Sequence, residues 1–314
     1  MLLSIIVPVF NVQEYLHRCV NSLLKDNQDL EYEIILVDDG STDRSGDICD
    51  EYDSSYEYIK SFHKSNGGLS DARNFGLTKS CGEYVIFIDS DDYVECGSVT
   101  KICDHIKEKE CDIYCCDYYS LCGKTRNDIK YSPIDSIETG EDFLRYQLEN
   151  CSMVSSVVQN IYRRNLLIEN NLFFKKGIYH EDEEWYPRVF LHANAVKYLN
   201  FIYYVYIIRE NSIMQQKDFT KHIIDFISTM ENLLNLYEGK IDSKLYRLLK
   251  DNLVDKYLSI YGRGNFGKGR EDIVISKKIL KKGLVHRKTK IKAIVFSISR
   301  RLFCKISQIY NGRS

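Results

Sequence analysis

Asp89, Ser90, Asp91 and Asp92 set three carboxylates within four positions at the end of the apolar run Tyr84–Ile88. Carboxylates this close repel one another unless a positive charge lies between them. A hard divalent cation, Mn²⁺ or Mg²⁺, takes oxygen ligands of this kind and shares them with a substrate's phosphates. A solvated acidic turn would carry the same residues, so the motif by itself leaves both readings open. Two further segments could contribute to the same chemistry. Asp38-Asp39-Gly40-Ser41 offers carboxylates to a base or ribose, and Asn66-Gly67-Gly68-Leu69-Ser70-Asp71-Ala72-Arg73-Asn74 offers close backbone approach and a cation for oxygen acceptors.

The elements around these segments position them together. Ser4–Phe10 reads as a first strand, with Pro8 near its end or at a point not hydrogen-bonded on one side. Asn11 is expected to cap a helix whose apolar face runs through Val12, Tyr15, Leu16, Cys19, Val20, Leu23 and Leu24. Glu33–Val37 is a buried strand ending in Asp38 and Asp39, with Ser41 or Thr42 expected to cap the next helix. Tyr58–Phe62 is a short third strand, and a helix carrying Arg73 leads to the strand that ends in the Asp cluster. Strand and helix thus alternate, and right-handed crossovers with parallel pairing collect the strand ends along one sheet edge, where open α/β sheets bind ligands.

Ile6-Val7-Pro8-Val9-Phe10-Asn11, Val37-Asp38-Asp39-Gly40-Ser41-Thr42-Asp43, Asn66 to Asn74 and Asp89-Ser90-Asp91-Asp92 together resemble the four successive signatures of family-2 glycosyltransferases with the GT-A fold. The strong part of the resemblance covers residues 3–95, and a looser one runs to about residue 210. It implies an α/β nucleotide-diphospho-sugar transferase fold and inverting transfer from a nucleotide-sugar, usually a UDP-sugar, to an acceptor hydroxyl. The type is that of bacterial capsule, exopolysaccharide and O-antigen synthesis.

Carried over by position, Pro8, Phe10, Asn11, Asp38, Asp39, Asn66, Arg73, Asp89 and Ser90 surround the nucleotide-sugar, and Asp91 with Asp89 holds Mn²⁺ or Mg²⁺. The family supplies its general base from an acidic pair at a helix start, here Glu181-Asp182, within Tyr179-His180-Glu181-Asp182-Glu183-Glu184-Trp185. Asp182 is the expected base and Glu181 the alternative. Crowded carboxylates favour the raised pKa that suits a base near neutral pH. The same acids would also suit the first turn of any helix. His180 could touch diphosphate or metal, or be a surface residue. Trp185 could stack on a sugar or fill the core.

Composition agrees with this class. A chain of 314 residues with 44% hydrophobic content can bury one sizeable α/β domain plus an appendage. No stretch is long enough for a membrane span, and no signal sequence is read at Met1–Phe10, so a cytoplasmic location is expected. The 11 cysteines show no Cys-x-x-Cys or Cys/His spacing for zinc and are expected to be reduced thiols packed as small hydrophobes.

Charge is divided unevenly. From Arg263 onward there are 15 Lys/Arg against only Glu271 and Asp272. Within this tail Ile291, Val295, Ile298, Leu302, Ile306 and Ile309 fall on one helical face among Lys290, Lys292, Arg300, Arg301 and Lys305. Such a helix can lie in the headgroups of an anionic membrane, which suits a lipid-linked saccharide acceptor and a peripheral position on the inner face of the cell membrane. Docking of the apolar face on the rest of the chain is the alternative, and no nucleic-acid motif accompanies the charge.

The expected organisation is a catalytic domain over 1–215, divided into a nucleotide-sugar half (1–110) and an acceptor half (111–215). A helical segment (216–262) and the basic tail (263–314) follow. Strands are expected over Cys111–Tyr119 and near Tyr198–Ile208, a helix over Gly140–Asn150, and a linker at the glycines of 262–269. A nucleotidyltransferase on a related fold is the runner-up, but Pro8–Glu14 lacks the glycine and lysine of its phosphate loop. A catalytically silent nucleotide-binding scaffold is the third reading.

Overall fold

The computed structural model describes residues 1–24, 31–209, 219–263, 273–276, 279–280 and 283–311. It divides into two compact units. The first contains residues 1–144, 152–177 and 181–209; the second contains 145–151, 178–180 and 210–314.

The first unit is built on a mixed sheet. β1 (Leu3–Val9) lies between β2 (Tyr32–Asp38) and β4 (Tyr84–Phe87), and β3 (Ile59–His63) flanks β2, all four parallel. Every residue of β1 and β4 is buried, which is why these segments are continuous apolar runs without alternation. Pro8 is opposite Val37 of β2, but the β4 ladder stops at Ile6↔Phe87, so the missing N–H falls on the side that is not paired, as the sequence suggested. β4 continues through β8 (Asn160–Arg163) and β6 (Ile113–Cys122) to β9 (Val196–Ile207). β5 (Tyr93–Val94) borders β9, and β7 (Thr125–Ile129) pairs with β6. β8 is antiparallel to both β4 and β6, and β9 is parallel to β6. β9 therefore runs in the same sense as β1–β4 and delivers its C-terminus to the same edge.

Helices cover the sheet. α1 (Leu16–Leu23) buries Leu16, Cys19, Val20 and Leu23, the expected stripe, and α2 (Ser45–Ser55) buries Ile48, Cys49 and Tyr52. Both helix starts differ from the sequence expectation. Asn11 is five residues before α1 in a left-handed conformation (φ 51°), and its Oδ1 accepts from Thr42 N at 2.8 Å instead of capping a helix. α2 opens under Asp43, whose Oδ1 accepts from Ser45 N at 2.9 Å. Ser41 Oγ is occupied by Asn11 N at 3.1 Å, so residues 11 and 41–43 form a loop-to-loop clasp and neither Ser41 nor Thr42 caps.

α3 (Leu69–Lys79) starts after Gly68, whose φ of 87° favours glycine, and packs closely on the sheet through Gly76. A Cβ added at Gly76 would be 2.4 Å from Ile6 Cγ2. α4 (Ser98–Glu108), α5 (Gly140–Glu149), α6 (Arg164–Glu169) and α7 (Glu181–Phe190) follow, α7 opening on four consecutive acids. Trp185 is fully buried, stacked on Phe174 at 4.3 Å, with Nε1 donating to Leu172 O at 2.6 Å. It is a core residue and is out of reach of a sugar.

The second unit is helical. α8 (Thr220–Tyr237) buries Ile223, Phe226, Met230, Leu233 and Leu234 against α9 (Ser243–Gly262), which starts on Asp242, whose Oδ1 accepts from Lys244 N and Leu245 N. The tail forms two helices, α10 (Arg287–Ile298) and α11 (Arg300–Asn311), separated by the extended Ser299. Most of the predicted glycine-rich linker lies outside the described residues. Among the described residues no helix is long and apolar enough to cross a membrane, and no disulfide joins the cysteines.

Candidate active site

The C-terminal ends of β1, β2, β4 and β9 and the start of α7 all reach one edge of the first unit. At β2, Asp39 is 2% exposed and ties the strand end to the glycine loop: Lys64 Nζ and Gly67 N (2.9 Å) donate to Oδ1, and Gly68 N (2.7 Å) to Oδ2. Asp38 beside it accepts from Ser41 N at 3.0 Å and shares a hydrogen bond with His63 Nδ1 at 3.0 Å. Both carboxylates thus shape the loops of this conformation. Phe10 and Asn66 are exposed, Pro8 is buried in β1, and Ser90 is buried in the turn after β4.

Arg73, from the second turn of α3, joins distant parts of the chain. Its Nη2 donates to Asp89 Oδ1 and its Nη1 to Glu181 Oε1, each at 2.7 Å. Burial pulls the guanidinium pKa down, but Asp89 and then Glu181 more than reverse this and keep it charged. Thus the turn after β4 and the start of α7 are held on one buried cation.

Asp91 faces another arginine. Arg209, just past β9, donates from Nη2 to Asp91 Oδ2 at 2.6 Å, and its guanidinium lies 4.9 Å from the centre of the Tyr15 ring. Arg18 Nη2 donates to the Asp91 carbonyl at 2.6 Å. Burial and then repulsion from Asp89 raise the Asp91 carboxyl, with Arg209 opposing. Asp92 is fully buried and is pushed up to about 8, by burial first and by Asp91 and Asp89 next. Tyr204 Oη (2.5 Å) and Ile207 N (2.7 Å) hold it against β9. It is a structural partner of the turn, not a further ligand.

Asp89 and Asp91 are the oxygen donors of this turn that could hold a divalent cation, although each is already paired with an arginine, Arg73 and Arg209. Among the described residues no group of three or more His, Cys, Asp or Glu forms a ready cage, so an ion there would take its remaining oxygens from diphosphate and water.

Asp182 follows Glu181 in the first turn of α7, partly buried, with its Oδ1 accepting from Glu183 N at 2.9 Å. Its charge reaches Arg73 and also Tyr118 of β6, whose phenol is raised by burial first and Asp182 next. Both candidate bases are therefore at the strand edge, Glu181 on Arg73 and Asp182 beside it. His180 belongs to the second unit, where its Nε2 meets His222 Nδ1 at 3.1 Å.

Arg209, Arg18 and Lys64 were not singled out by sequence reasoning. The available signal was position: Arg209 closes a predicted strand and so reaches the same edge as the Asp cluster. Arg18 is a lone cation on the polar side of α1.

The mixed sheet with helices on its faces, the acidic turn after its fourth strand and the acidic helix start are those of a GT-A fold. Residues 4–170 match the family described as glycosyl transferase family 2. The chain belongs to that family and is a glycosyltransferase. It is 33% identical over 245 residues to the uncharacterized glycosyltransferase EpsJ of Bacillus subtilis, covering 76% of this chain and 69% of that one. It is 29% identical over 274 residues to the glycosyltransferase GlyG of Streptococcus pneumoniae, covering 82% and 87%. In three dimensions it resembles Staphylococcus aureus TarS residues 1–349 in complex with UDP, with a TM-score of 0.71 at 22% identity over 99% of this chain and 89% of that one.

Proposed function

We propose that this glycosyltransferase moves a sugar from a UDP-sugar to a hydroxyl of a lipid-linked saccharide in cell-surface polysaccharide synthesis, with inversion at the anomeric carbon. The observation that carries the reading is the Arg73 bridge, because it gathers Asp89 on the nucleotide side and the Glu181-Asp182 pair on one buried charge. The resemblance to a UDP-bound TarS fold supports uridine as the nucleotide.

In this mechanism the acceptor hydroxyl loses its proton to Asp182 while its oxygen bonds to the anomeric carbon. The bond from that carbon to the diphosphate oxygen breaks, and UDP leaves with the electron pair. Asp91 and Asp89 would hold Mn²⁺ or Mg²⁺, which supplies Lewis-acid neutralisation of the departing diphosphate. Glu181 keeps Arg73 in place, and Arg73 in turn fixes the orientation of Asp89. Phe10, Asn11, Asn66 and Ser90 border the nucleotide, with Pro8, Asp38 and Asp39 shaping the loops that receive it. An acceptor carried on lipid places the enzyme at the inner face of the cell membrane.

A panel of UDP-sugars with Mn²⁺ or Mg²⁺, read as UDP released with and without extracted lipid-linked acceptors, tests this. Release from one donor that rises with acceptor and stops with EDTA is expected. Release only from sugars on another nucleotide would replace the donor class.

A further inference from the structure

The tail helices are apolar on two opposite sides, and among the described residues one side is buried and the other exposed. In α10, Thr289, Ala293 and Phe296 are buried. Phe296 packs edge-on against Tyr261 of α9 at 4.8 Å and against Phe303 of α11 at 5.4 Å. In α11, Phe303 and Cys304 are buried, with Cys304 Sγ 3.7 Å from Tyr261 O. At about 100° per residue, Ile291, Ile294 and Ile298 point away from this contact in α10, as do Leu302, Ile306 and Ile309 in α11. These six side chains are 42–77% exposed. The exposed set differs from the single stripe predicted for one continuous helix. The extended Ser299 divides the tail, Ile294 takes the place of Val295, and the expected docking side is formed by other residues.

Aliphatic residues grouped this way in water are unfavourable unless something covers them. The border of the patch indicates what that is. The two helices contain seven Lys/Arg and no Asp or Glu. Lys288 and Lys290 flank the Ile291–Ile294–Ile298 face, and Arg301 and Lys305 lie beside Leu302, all four exposed. Lys292, by contrast, turns inward to Asp255 at 2.7 Å. A second copy of the same face would set these cationic borders against one another. An anionic bilayer offers both an acyl boundary for the aliphatics and negative headgroups for the rim.

We propose that this face docks on an anionic lipid surface, with α10 and α11 lying in the headgroup plane and the six aliphatic side chains entering the acyl boundary. The proposal rests on the membrane position given above and identifies the surface responsible.

The test is co-sedimentation of the full chain with vesicles of phosphatidylcholine, with and without phosphatidylglycerol. Binding to the anionic vesicles only, weakened by salt, is expected. Substituting Ile298→Glu with Leu302→Glu should lower that binding at least about tenfold, with unchanged circular dichroism and melting temperature because both positions are exposed. Lys290→Gln with Lys305→Gln should reduce the salt dependence. Wild-type binding that the Ile298/Leu302 pair leaves intact would overturn this face while keeping the membrane position. Absence of wild-type binding would overturn both. Self-association in sedimentation velocity that the same pair abolishes would assign the face to a second copy. UDP release with detergent-dispersed acceptor is read in parallel, so failure of sugar transfer is scored separately from failure of docking.

Discussion

Arg209 Nη2 lies 2.6 Å from Asp91 Oδ2, so a permanent cation from the end of β9 sits on the carboxylate proposed to bind a metal. Asp91 is raised by burial and by Asp89, and the hydrogen-bonded charge of Arg209 opposes this. Cation and guanidinium then compete for the same oxygen. Arg209→Ala is expected to tighten Mn²⁺ binding to the donor-free protein about tenfold, equivalent to about 1.4 kcal/mol, and Asp91→Asn to weaken it by at least as much. Free Mn²⁺ measured by electron paramagnetic resonance reads both variants. Weaker binding in Arg209→Ala would show that the arginine supports the ion instead of competing with it.

Arg73 makes a stability prediction of its own. Its side chain is 4% exposed, and those of Asp89 and Glu181 are 28% and 14% exposed. Arg73→Met strands two carboxylates in a poorly solvated site, which should cost about 3 kcal/mol. Arg73→Lys keeps a charge but loses the fork that reaches both partners, and should fall between the two. Urea denaturation measures the series. A methionine variant as stable as the parent would mean that the bridge contributes nothing to the fold.

Much of this arrangement was legible in the sequence because its signals are local. Continuous apolar runs marked β1, β2 and β4, the acids that end β2 and follow β4 marked the site edge, and helical spacing of apolar residues marked α1 and α8. Caps were less legible: Asn11, Ser41 and Thr42 are all good cap types, and only the clasp between two loops decides that Asp43 does the work at α2. Arg209 was missed for a related reason. Its partner is far away in sequence, and only the direction of β9, fixed through β6 and β8, brings it to Asp91. The tail was half legible: periodicity revealed an apolar face, but the break at Ser299 and a second apolar side on each helix depend on packing against α9.

Glu181 and Asp182 can be separated by their different surroundings. Glu181 is a partner of Arg73, so Glu181→Gln should lower stability by about 1–2 kcal/mol along with any loss of rate. Asp182→Asn removes a proton acceptor while leaving intact the hydrogen-bonded pair that Glu181 makes with Arg73. It should leave UDP affinity and melting temperature unchanged while kcat falls by about 10²–10⁴. Kinetics with saturating donor, alongside thermal melts, would reassign the base to Glu181 if only the glutamine variant lost turnover.

The second unit carries its own pH dependence through His180. This residue has a φ of 60° and is held beside His222, with Asp225, Lys256 and Arg263 also acting on it. Burial first and His222 next lower it to about 4. A histidine depressed below its unfolded value of about 6.5 contributes stability that is complete above that pH and is lost as pH falls toward about 4. With partial exposure, the loss should be about 2 kcal/mol across that window. His180→Asn tolerates the left-handed backbone and cannot titrate, so it should flatten the loss without changing the fold. Helical circular dichroism through thermal melts at stepped pH measures this. A wild-type melting temperature that stays level from about pH 6.5 to about pH 4 would show that His180 is protonated freely in the folded chain.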